Sequence, residues 1–335
     1  MTNPVLVELT RGGIVESRHR GAYAVVGPDG ELLASTGDIA TPIFPRSAIK
    51  ALQALPLVES GVVEHFGLSD AEIALSCSSH NAEEPHVEGA RSILAKSGGN
   101  EDELACGPQW PRDDNRFLLS GGKPADIHNN CSGKHSGMLA TVHHLGLDPE
   151  NYWKINHPLQ QAVAKTISEV CDYDLSKADW GFDGCSLPNW AIPLQNMALG
   201  FSRLASGNTL SAQRKAAAEK IIAAVRANPF MVAGSNRFCT ILMQAVPRAF
   251  VKVGAEGMYC ACIPHAGIGI AIKCDDGNHR ASQPAMAAVL ANLDVWTPEE
   301  HDKLKALSKK KDTNRRNIET GEIRATIQET IFPVT

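Results

Sequence analysis

The sequence lacks the features of a membrane protein or an exported protein. No apolar run approaches the ~20 residues that a membrane-spanning helix needs, and residues 1–13 have no long apolar core of the signal-peptide kind. The nine cysteines follow no disulfide-framework spacing, and no C-x-x-C pair occurs. We therefore expect a cytoplasmic protein whose cysteines are free thiols.

The charge balance argues against nucleic acid as a partner. With 32 Lys and Arg against 37 Asp and Glu, the net charge is −5, so the chain has no overall basic field. The short basic run at residues 309–316 is interpreted as a solvated connector. Internal repeats and low-complexity tracts are also missing. What remains is a chain of 335 residues, 43% hydrophobic, which is long enough to bury a large core.

Hydrophobic periodicity predicts strands at both ends of the chain and helices between them. The strand pattern predicts a β meander over residues 4–36 and further strands at 72–77, 249–253, 258–263, 268–273 and 322–327. Helical spacing predicts helices at 133–144, 158–171, 193–205, 211–227, 238–246, 281–293 and 297–308. This order predicts an α+β fold with an antiparallel sheet made from both termini.

The domain prediction follows from the same order of elements. We expect a single domain over residues 1–335, with a sheet lobe from about 1–45 and 247–335. A helical lobe, about residues 46–246, is inserted between the two parts of the sheet. Serine β-lactamases are laid out in this way, which makes a serine β-lactamase-like fold the predicted architecture.

Residues 44–50 (FPRSAIK) place Ser47 three positions before Lys50 at a predicted helix start. Residues at this spacing share a helical face, so an amine can reach the hydroxyl. A lysine can accept the proton of a serine and thereby make the serine a nucleophile. The spacing alone is a weak signal, because Ser-x-x-Lys occurs in many helices as a solvated pair.

Two later motifs follow the Ser47–Lys50 motif in an order that is known from other serine enzymes. Ser79 and Asn81 follow a predicted strand, and Lys252 with Gly254 ends another. Serine β-lactamases and penicillin-binding proteins carry S-x-x-K, S-D-N and K-T-G in this order. In the present chain the first motif is intact and the other two are degenerate, which favours the same fold and catalytic apparatus.

Residues 128–138 (HNNCSGKHSGM) form the stretch richest in reactive side chains. Cys131, Lys134 and His135 share one helical face there, and Cys185 lies in a second polar, glycine-rich stretch. Two thiolates and a nitrogen ligand suit zinc. The spacing alone favours buried free cysteines over a metal site.

Together these stretches resemble the Rhizobium etli-type L-asparaginases, the asparaginase II family of serine amidohydrolases with a β-lactamase-like fold. The resemblance runs over essentially the whole chain. It rests on residues 44–50 (FPRSAIK), 76–81 (SCSSHN), 129–137 (NNCSGKHSG), 183–188 (DGCSLP) and 254–257 (GAEG).

The resemblance implies hydrolysis of L-asparagine to L-aspartate and ammonia by a homodimer. It implies two Ser–Lys pairs, Ser47 with Lys50 and Ser79 with Lys252. Lys273 lies in a similar strand and is the alternative to Lys252, but the K-x-G match favours Lys252. The resemblance further implies a zinc ion (Zn2+) held by Cys131, Lys134 and Cys185. The residues that it places near the substrate or the metal are Arg46, Asn81, His135 and Asp183.

Two other functional classes stay open. A β-lactamase-like or penicillin-binding-like serine hydrolase would use the same motifs, although the lack of an export signal argues against it. A non-catalytic zinc-binding ligand sensor would keep only the fold, and the four catalytic candidates argue against that. The preference between asparagine and glutamine depends on the shape of the pocket.

Overall fold

The computed structural model describes residues 2–112 and 115–328. In chain order the strands are β1 (Val5–Arg11), β2 (Ile14–Val26), β3 (Leu32–Thr36), β4 (Pro42–Ile43), β5 (Trp180–Phe182), β6 (Pro188–Trp190), β7 (Ile192–Pro193), β8 (Phe250–Val253), β9 (Met258–Ile263), β10 (Ile268–Cys274), β11 (Lys309–Thr313) and β12 (Glu319–Ala325). The helices are α1 (Lys50–Gln53), α2 (Leu55–Glu59), α3 (Val62–Phe66), α4 (Asp70–Ser76), α5 (Glu84–Ser97), α6 (Asn115–Leu119), α7 (Ser132–His144), α8 (Pro158–Cys171), α9 (Leu194–Ser206), α10 (Ala212–Ala227), α11 (Pro229–Ala233), α12 (Phe238–Ala245), α13 (His279–Ala291) and α14 (Pro298–Leu307). No described helix is both long enough and apolar enough to cross a membrane.

The chain forms two compact units. The first consists of Met1–Ala48, Ile192–Asn208 and Ile241–Thr335, and the second of Ile49–Ala191 and Thr209–Thr240. The first unit therefore contains α9, which lies inside the helical lobe predicted from the sequence. The single-domain organisation stays a prediction.

The first unit is built on an antiparallel sheet. Within the described part of the chain it has eight strands in the order β11-β12-β1-β2-β10-β9-β8, with β3 paired to β2. Strands from the two ends of the chain are neighbours, since Val7 pairs with Ala325 and Ala24 with Ala271. The predicted α+β class, a sheet made from both termini around inserted helices, is confirmed.

Helices cover the centre of this sheet. Every residue of β9 is buried, because α9 and α13 both pack against β9 and β10. Gly269 on β10 lets α9 approach the backbone closely, since a Cβ there would lie 2.1 Å from Ala198 O. The continuous apolar character of β9 follows from burial on both faces.

The basic run at residues 309–316 is mostly exposed, as predicted for a solvated segment, but its interpretation as a connector is wrong over Lys309–Thr313. Residues Lys309–Thr313 form β11, the edge strand that pairs with β12. The side chains of this strand are mostly exposed. Strand formation here follows from backbone pairing rather than from apolar side chains, and lysine is a usual residue at an open sheet edge.

The second unit is helical around α4, α5, α7 and α10, which pack on one another. The strand predicted at residues 72–77 is wrong, because Asp70–Ser76 is α4. Ser69 caps this helix in a capping box with Glu72, which satisfies free backbone N–H groups at its start. The short apolar run 73–75 is ambiguous between strand and helix, and the cap decides it.

Two glycines of α7 bring α7 against the end of α4. A Cβ at Gly133 would lie 2.6 Å from Leu75 O, and one at Gly137 would lie 2.6 Å from Ser76 Oγ. Real Cβ atoms do not approach this closely, so larger residues would push α7 away. The loop that follows α4 is thereby held beside the first turn of α7.

Candidate active site

Ser47 lies in a strained turn of the first unit. A 3₁₀ turn spans Arg46–Ile49, and Ala48 N donates to Pro45 O at 3.2 Å. Arg46 has a φ of 51°, a left-handed conformation that costs a non-glycine residue roughly 1–3 kcal/mol. Such strain persists only where the surrounding structure imposes it. It occurs here directly before a partly exposed serine.

The glycine of the K-x-G motif lies against this turn. A Cβ at Gly254 would be 2.6 Å from Pro45 O and 3.0 Å from Ala48 N. Only glycine therefore allows the end of β8 to contact the backbone on either side of Ser47. The first and third sequence motifs meet within the first unit.

Lys252 and its alternative Lys273 have different surroundings. Lys252 is fully buried, and its ammonium donates to Val253 O at 2.8 Å. Lys273 is less buried and donates to Glu256 O at 2.7 Å and Cys274 O at 2.6 Å. Of the two amines, that of Lys252 is therefore the more buried. Its pairing with Ser79 stays a prediction.

Lys50 is fully buried in the second unit, and its ammonium has three acceptors. It donates to Ser79 Oγ at 3.0 Å, to Cys131 Sγ at 3.2 Å and to Ser78 O. A buried charge is tolerated when it is hydrogen-bonded in this way. Lys50 thus connects a predicted catalytic serine with a predicted metal ligand. The predicted pair of Lys50 with Ser47 is not tested.

His80 anchors the loop that carries Ser79. Its backbone N donates to Asn130 O at 3.1 Å, and its Nδ1 accepts from Ala82 N at 3.0 Å. Burial lowers the pKa of His80 well below its usual value, so the ring is neutral. The single ring proton then sits on Nε2 and is donated to Ser132 Oγ at 3.0 Å. The loop is therefore tied to the first turn of α7.

Asn81, a predicted substrate contact, uses its side-chain amide within the protein. Its Nδ2 donates at 3.0 Å to Glu83 Oε1 and at 3.0 Å to Ser235 O. Its Oδ1 accepts from Arg237 at 2.9 Å, and the same guanidinium reaches Ser79 O at 3.3 Å. Asn81 holds the loop in place, and its contact with substrate stays a prediction. Arg237 belongs to no motif, so sequence reasoning does not find it.

The three predicted metal ligands are buried together in the second unit. Cys131 and Lys134 lie at the start of α7, and Cys185 lies in the turn between β5 and β6. A hydrogen bond from Asp183 N to Leu187 O, at 2.8 Å, closes that turn. Lys134 Nζ donates to Cys185 Sγ at 3.0 Å. The helix and the turn therefore bring the three donors into contact.

The charges within this cluster are unequally distributed. A hydrogen bond from Cys131, aided by Lys134 and opposed by burial, lowers the pKa of Cys185 well below its usual value. The same hydrogen bond, together with burial, raises the pKa of Cys131 to about 12. Burial opposes the charged form of Lys134, but the neighbouring Cys185 and Cys131 outweigh it and raise the pKa of Lys134. The cluster is a thiolate paired with an ammonium, beside a neutral thiol.

This donor set fits zinc. Zinc binds both cysteine sulfur and nitrogen donors, and binding would release the protons of Cys131 and Lys134. Within residues 2–112 and 115–328, no group of three or more His, Cys, Asp and Glu side chains could hold a metal. The candidate set differs from such groups because one of its donors is lysine. Zinc itself stays a prediction.

His135 follows Lys134 and is fully buried. Its Nδ1 lies 2.5 Å from the hydroxyl of Tyr152, and its Nε2 has no hydrogen-bond partner among the described residues. Burial, together with Lys134, lowers the pKa of His135 to about 3, so the ring is neutral. Tyr152 is absent from every motif. No sequence signal predicts its contact with His135.

The two charged substrate-binding candidates lie in different units. Arg46 belongs to the strained turn of the first unit, and Asp183 to the β5–β6 turn of the second. Asp183 Oδ1 accepts a hydrogen bond from Gly184 N at 2.7 Å. The contacts of both residues with substrate stay predictions.

The chain matches a known protein family over nearly its whole length. The family described as L-asparaginase II matches residues 7–325. The chain belongs to the L-asparaginase II family. It is therefore an L-asparaginase-type amidohydrolase, as the resemblance implies. None of the curated proteins matches it.

Two solved structures are similar to this L-asparaginase II family member. One is a β-lactamase from Mycobacterium bovis, with 16% identity and a TM-score of 0.41, covering 85% of this chain and 94% of that chain. The other is D-alanine carboxypeptidase AmpC from Burkholderia cenocepacia, with 14% identity and a TM-score of 0.38, covering 77% and 88%. Because both TM-scores are below 0.5, these two likenesses carry no argument here. Family membership rests on the family match, and the fold class rests on the sheet topology.

Proposed function

We propose that this protein hydrolyses L-asparagine to L-aspartate and ammonia. The observation that carries the proposal is the buried side-chain nitrogen of Lys50, hydrogen-bonded to Ser79 Oγ at 3.0 Å and three positions after Ser47 in the chain. A serine hydroxyl needs such a neighbour to become a nucleophile. The family match supports an amide as the bond that is broken.

Ser47 is the proposed nucleophile. The neutral amine form of Lys50 accepts its hydroxyl proton, and its oxygen bonds to the side-chain carbonyl carbon of the substrate. The C–N bond then breaks as the protonated Lys50 gives its proton to the leaving nitrogen, which departs as ammonia. Water attacks the resulting ester, which releases aspartate and restores the serine hydroxyl. Ser79 and Lys252 are proposed to relay protons in both halves of the reaction.

Arg46 and Asp183 are proposed to bind the two charged groups of the substrate. A guanidinium pairs with the α-carboxylate, and a carboxylate pairs with the α-ammonium. The two charges of an amino acid would then be recognised separately from the reacting amide. The side-chain carbonyl is thereby left to face the serine.

Cys131, Lys134 and Cys185 would hold zinc, whose bound form would supply Lewis-acid polarisation or a fixed contact that orients the substrate. A zinc ion bound to these three side chains would also cross-link two segments of the chain. The start of α7 would be joined to the β5–β6 turn, which carries Asp183.

Replacement of Cys185 by serine should remove the bound zinc. The hydroxyl of serine is a much weaker zinc ligand than a thiolate, so metal content should fall from about one ion per chain to a small fraction. Elemental analysis of the purified variant, after dialysis against metal-free buffer, measures this content. Cys171→Ser is the control, because Cys171 is a buried cysteine of α8. Unchanged zinc content in both Cys185→Ser and Cys131→Ser would exclude the site.

Replacement of Gly254 by alanine should lower kcat/KM at least tenfold. The new Cβ would be 2.6 Å from Pro45 O, so the turn that carries Ser47 must shift, and a shift of ~1 Å can cost up to ~100-fold in rate. Steady-state kinetics with L-asparagine test this expectation. In Gly181→Ala the added Cβ meets no atom within 4 Å, and that control should keep its activity. Equal activity in both variants would show that the contact does not hold the nucleophile in place.

The first test is ammonia release from L-asparagine by the purified protein, with L-glutamine in parallel. Release from asparagine supports the proposal, and release from both substrates would keep the chemistry with a wider pocket. Acylation by a fluorescent penicillin without ammonia release would favour the penicillin-recognising class. A folded, zinc-loaded sample that shows neither reaction would favour a ligand sensor. The expected homodimer is tested separately by light scattering.

A further inference from the structure

The hydroxyl of Tyr152 is a buried junction between two groups. Tyr152 has a relative exposure of 1%, and its oxygen accepts a hydrogen bond from Ala105 N at 3.2 Å. The same oxygen lies 2.5 Å from His135 Nδ1. All three residues belong to the second unit. The positions of the protons in this junction can be derived from which groups are able to donate.

A backbone N–H can only donate, so Ala105 supplies a proton to the phenol oxygen and takes none. The phenol proton of Tyr152 then has one acceptor in contact with it, which is Nδ1 of His135. If Nδ1 carried the ring proton instead, both the phenol proton and the lone pair of Nε2 would be buried without partners. A proton on Nε2 leaves only one group unpaired, so that tautomer is favoured.

The unpaired group is therefore the N–H at Nε2 of His135. It is buried and has no partner within the described parts of the chain. The ionisable groups that act on the ring are Lys134, Cys131, Lys50 and Asp126, and none of them accepts a hydrogen bond from Nε2. The two ammonium groups are donors themselves. A bound ligand that offers an oxygen atom could supply the acceptor that Nε2 lacks.

We propose that Tyr152 is a positioning residue that fixes His135 in the Nε2–H tautomer, so that His135 donates a hydrogen bond to a carboxylate or carbonyl oxygen of the substrate. The identity of that ligand rests on the proposed asparaginase function. The tautomer rests only on the contacts of Tyr152.

Nitrogen NMR of the protein labelled with ¹⁵N-histidine measures the tautomer directly, without turnover. His135 should show a protonated Nε2 and an unprotonated Nδ1, and His135→Gln assigns its signals. In Tyr152→Phe the phenol donor is lost, so the ring should become a mixture of tautomers. Tyr173→Phe is the matched control and should leave the His135 signals unchanged. A wild-type ring protonated on Nδ1 would overturn the proposal even if Tyr152→Phe failed to fold.

Kinetics test the substrate contact. Tyr152→Phe should raise KM for L-asparagine about tenfold with a smaller change in kcat, because a ground-state hydrogen bond is weakened. In His135→Gln the new side-chain amide is itself a hydrogen-bond donor, and its orientation does not depend on the hydroxyl of Tyr152. In the His135→Gln background, Tyr152→Phe should therefore have no further effect on KM. Full additivity of the two changes would refute the coupling. If wild type releases no ammonia while the ring is protonated on Nε2, the substrate assignment falls and the tautomer stands.

Discussion

Replacement of Ser47 by alanine should reduce asparagine hydrolysis at least ~10⁴-fold. Removal of a serine nucleophile typically costs ~10⁴–10⁶ in kcat, because the remaining site can only bind and polarise the amide. Ser47 is partly exposed in a turn, so the loss of one hydroxyl should leave the fold intact. Circular dichroism and thermal unfolding verify the fold, and ammonia release over hours measures the residual rate.

Ser79→Ala provides the decisive comparison, because two serines compete for the role of nucleophile. Its hydroxyl accepts a hydrogen bond from Lys50 at 3.0 Å, so its loss should slow proton transfer by ~10²–10³ without removing the nucleophile. Mass spectrometry after rapid acid quench should find the acyl group on Ser47 in the wild type and in Ser79→Ala. An acyl group on Ser79, or substantial turnover by Ser47→Ala, would contradict the assignment.

Replacement of Lys50 by methionine should reduce kcat by ~10²–10⁴, the usual range for loss of a general base. Methionine has a similar length and no charge, so the buried space stays filled. The change in the free energy of unfolding should be small, because two contributions to it oppose each other. Ser78 O and Ser79 Oγ lose a donor at roughly 1–3 kcal/mol each, while the cost of burying a cation is relieved. Urea unfolding and ammonia release measure the two effects separately.

Lys50→Ala separates the chemical role of the amine from its structural role. The shorter side chain leaves a buried space beside Ser79 Oγ, and methylamine in the assay should restore part of the activity by acting as a free base. Lys165→Ala, a change outside the cluster, should neither lose activity nor respond to methylamine. A Lys50→Met protein that kept more than about a tenth of the wild-type rate would exclude Lys50 as the base.

The fold was largely predictable because most elements carry clear local signals. In α8, Pro158–Cys171, a proline occupies the first helical position and apolar residues recur at helical spacing. The strands β8 to β10 are mostly apolar, with Lys252 and Lys273 as the exceptions, and are separated by turns that contain glycine. The prediction for α4 is wrong because its apolar run is short, and Ser69 with Glu72 was the signal to use. For β11 the side chains are mostly charged and give no strand pattern, and the strand forms through backbone pairing with β12.

The candidate site was predictable only as separate motifs. Contact between Lys134 and Cys185 agrees with the resemblance, although 51 positions separate them in the chain. The hydrogen bond from Lys50 to Cys131 could not be predicted, because a motif defines residue types and not which groups meet in space. Arg237 and Tyr152 act through contacts that tertiary packing alone creates. The spacing of residues along the sequence carries no information about such contacts.

The pairing of β2 with β10 has a consequence for the protein during its synthesis. Val26 and Gly269 are partners in the same sheet, so β2 leaves the ribosome long before its neighbour exists. Residues 49–191 and 209–240, which make up the second unit, are translated in between and can gain structure first. Such distant pairing also makes completion of the sheet slow. The apolar segment Ala22–Val26 can pair with β3 at once, but its other edge stays open until β10 is made, and a chaperone that shields short apolar segments on nascent chains would protect that edge in the interval.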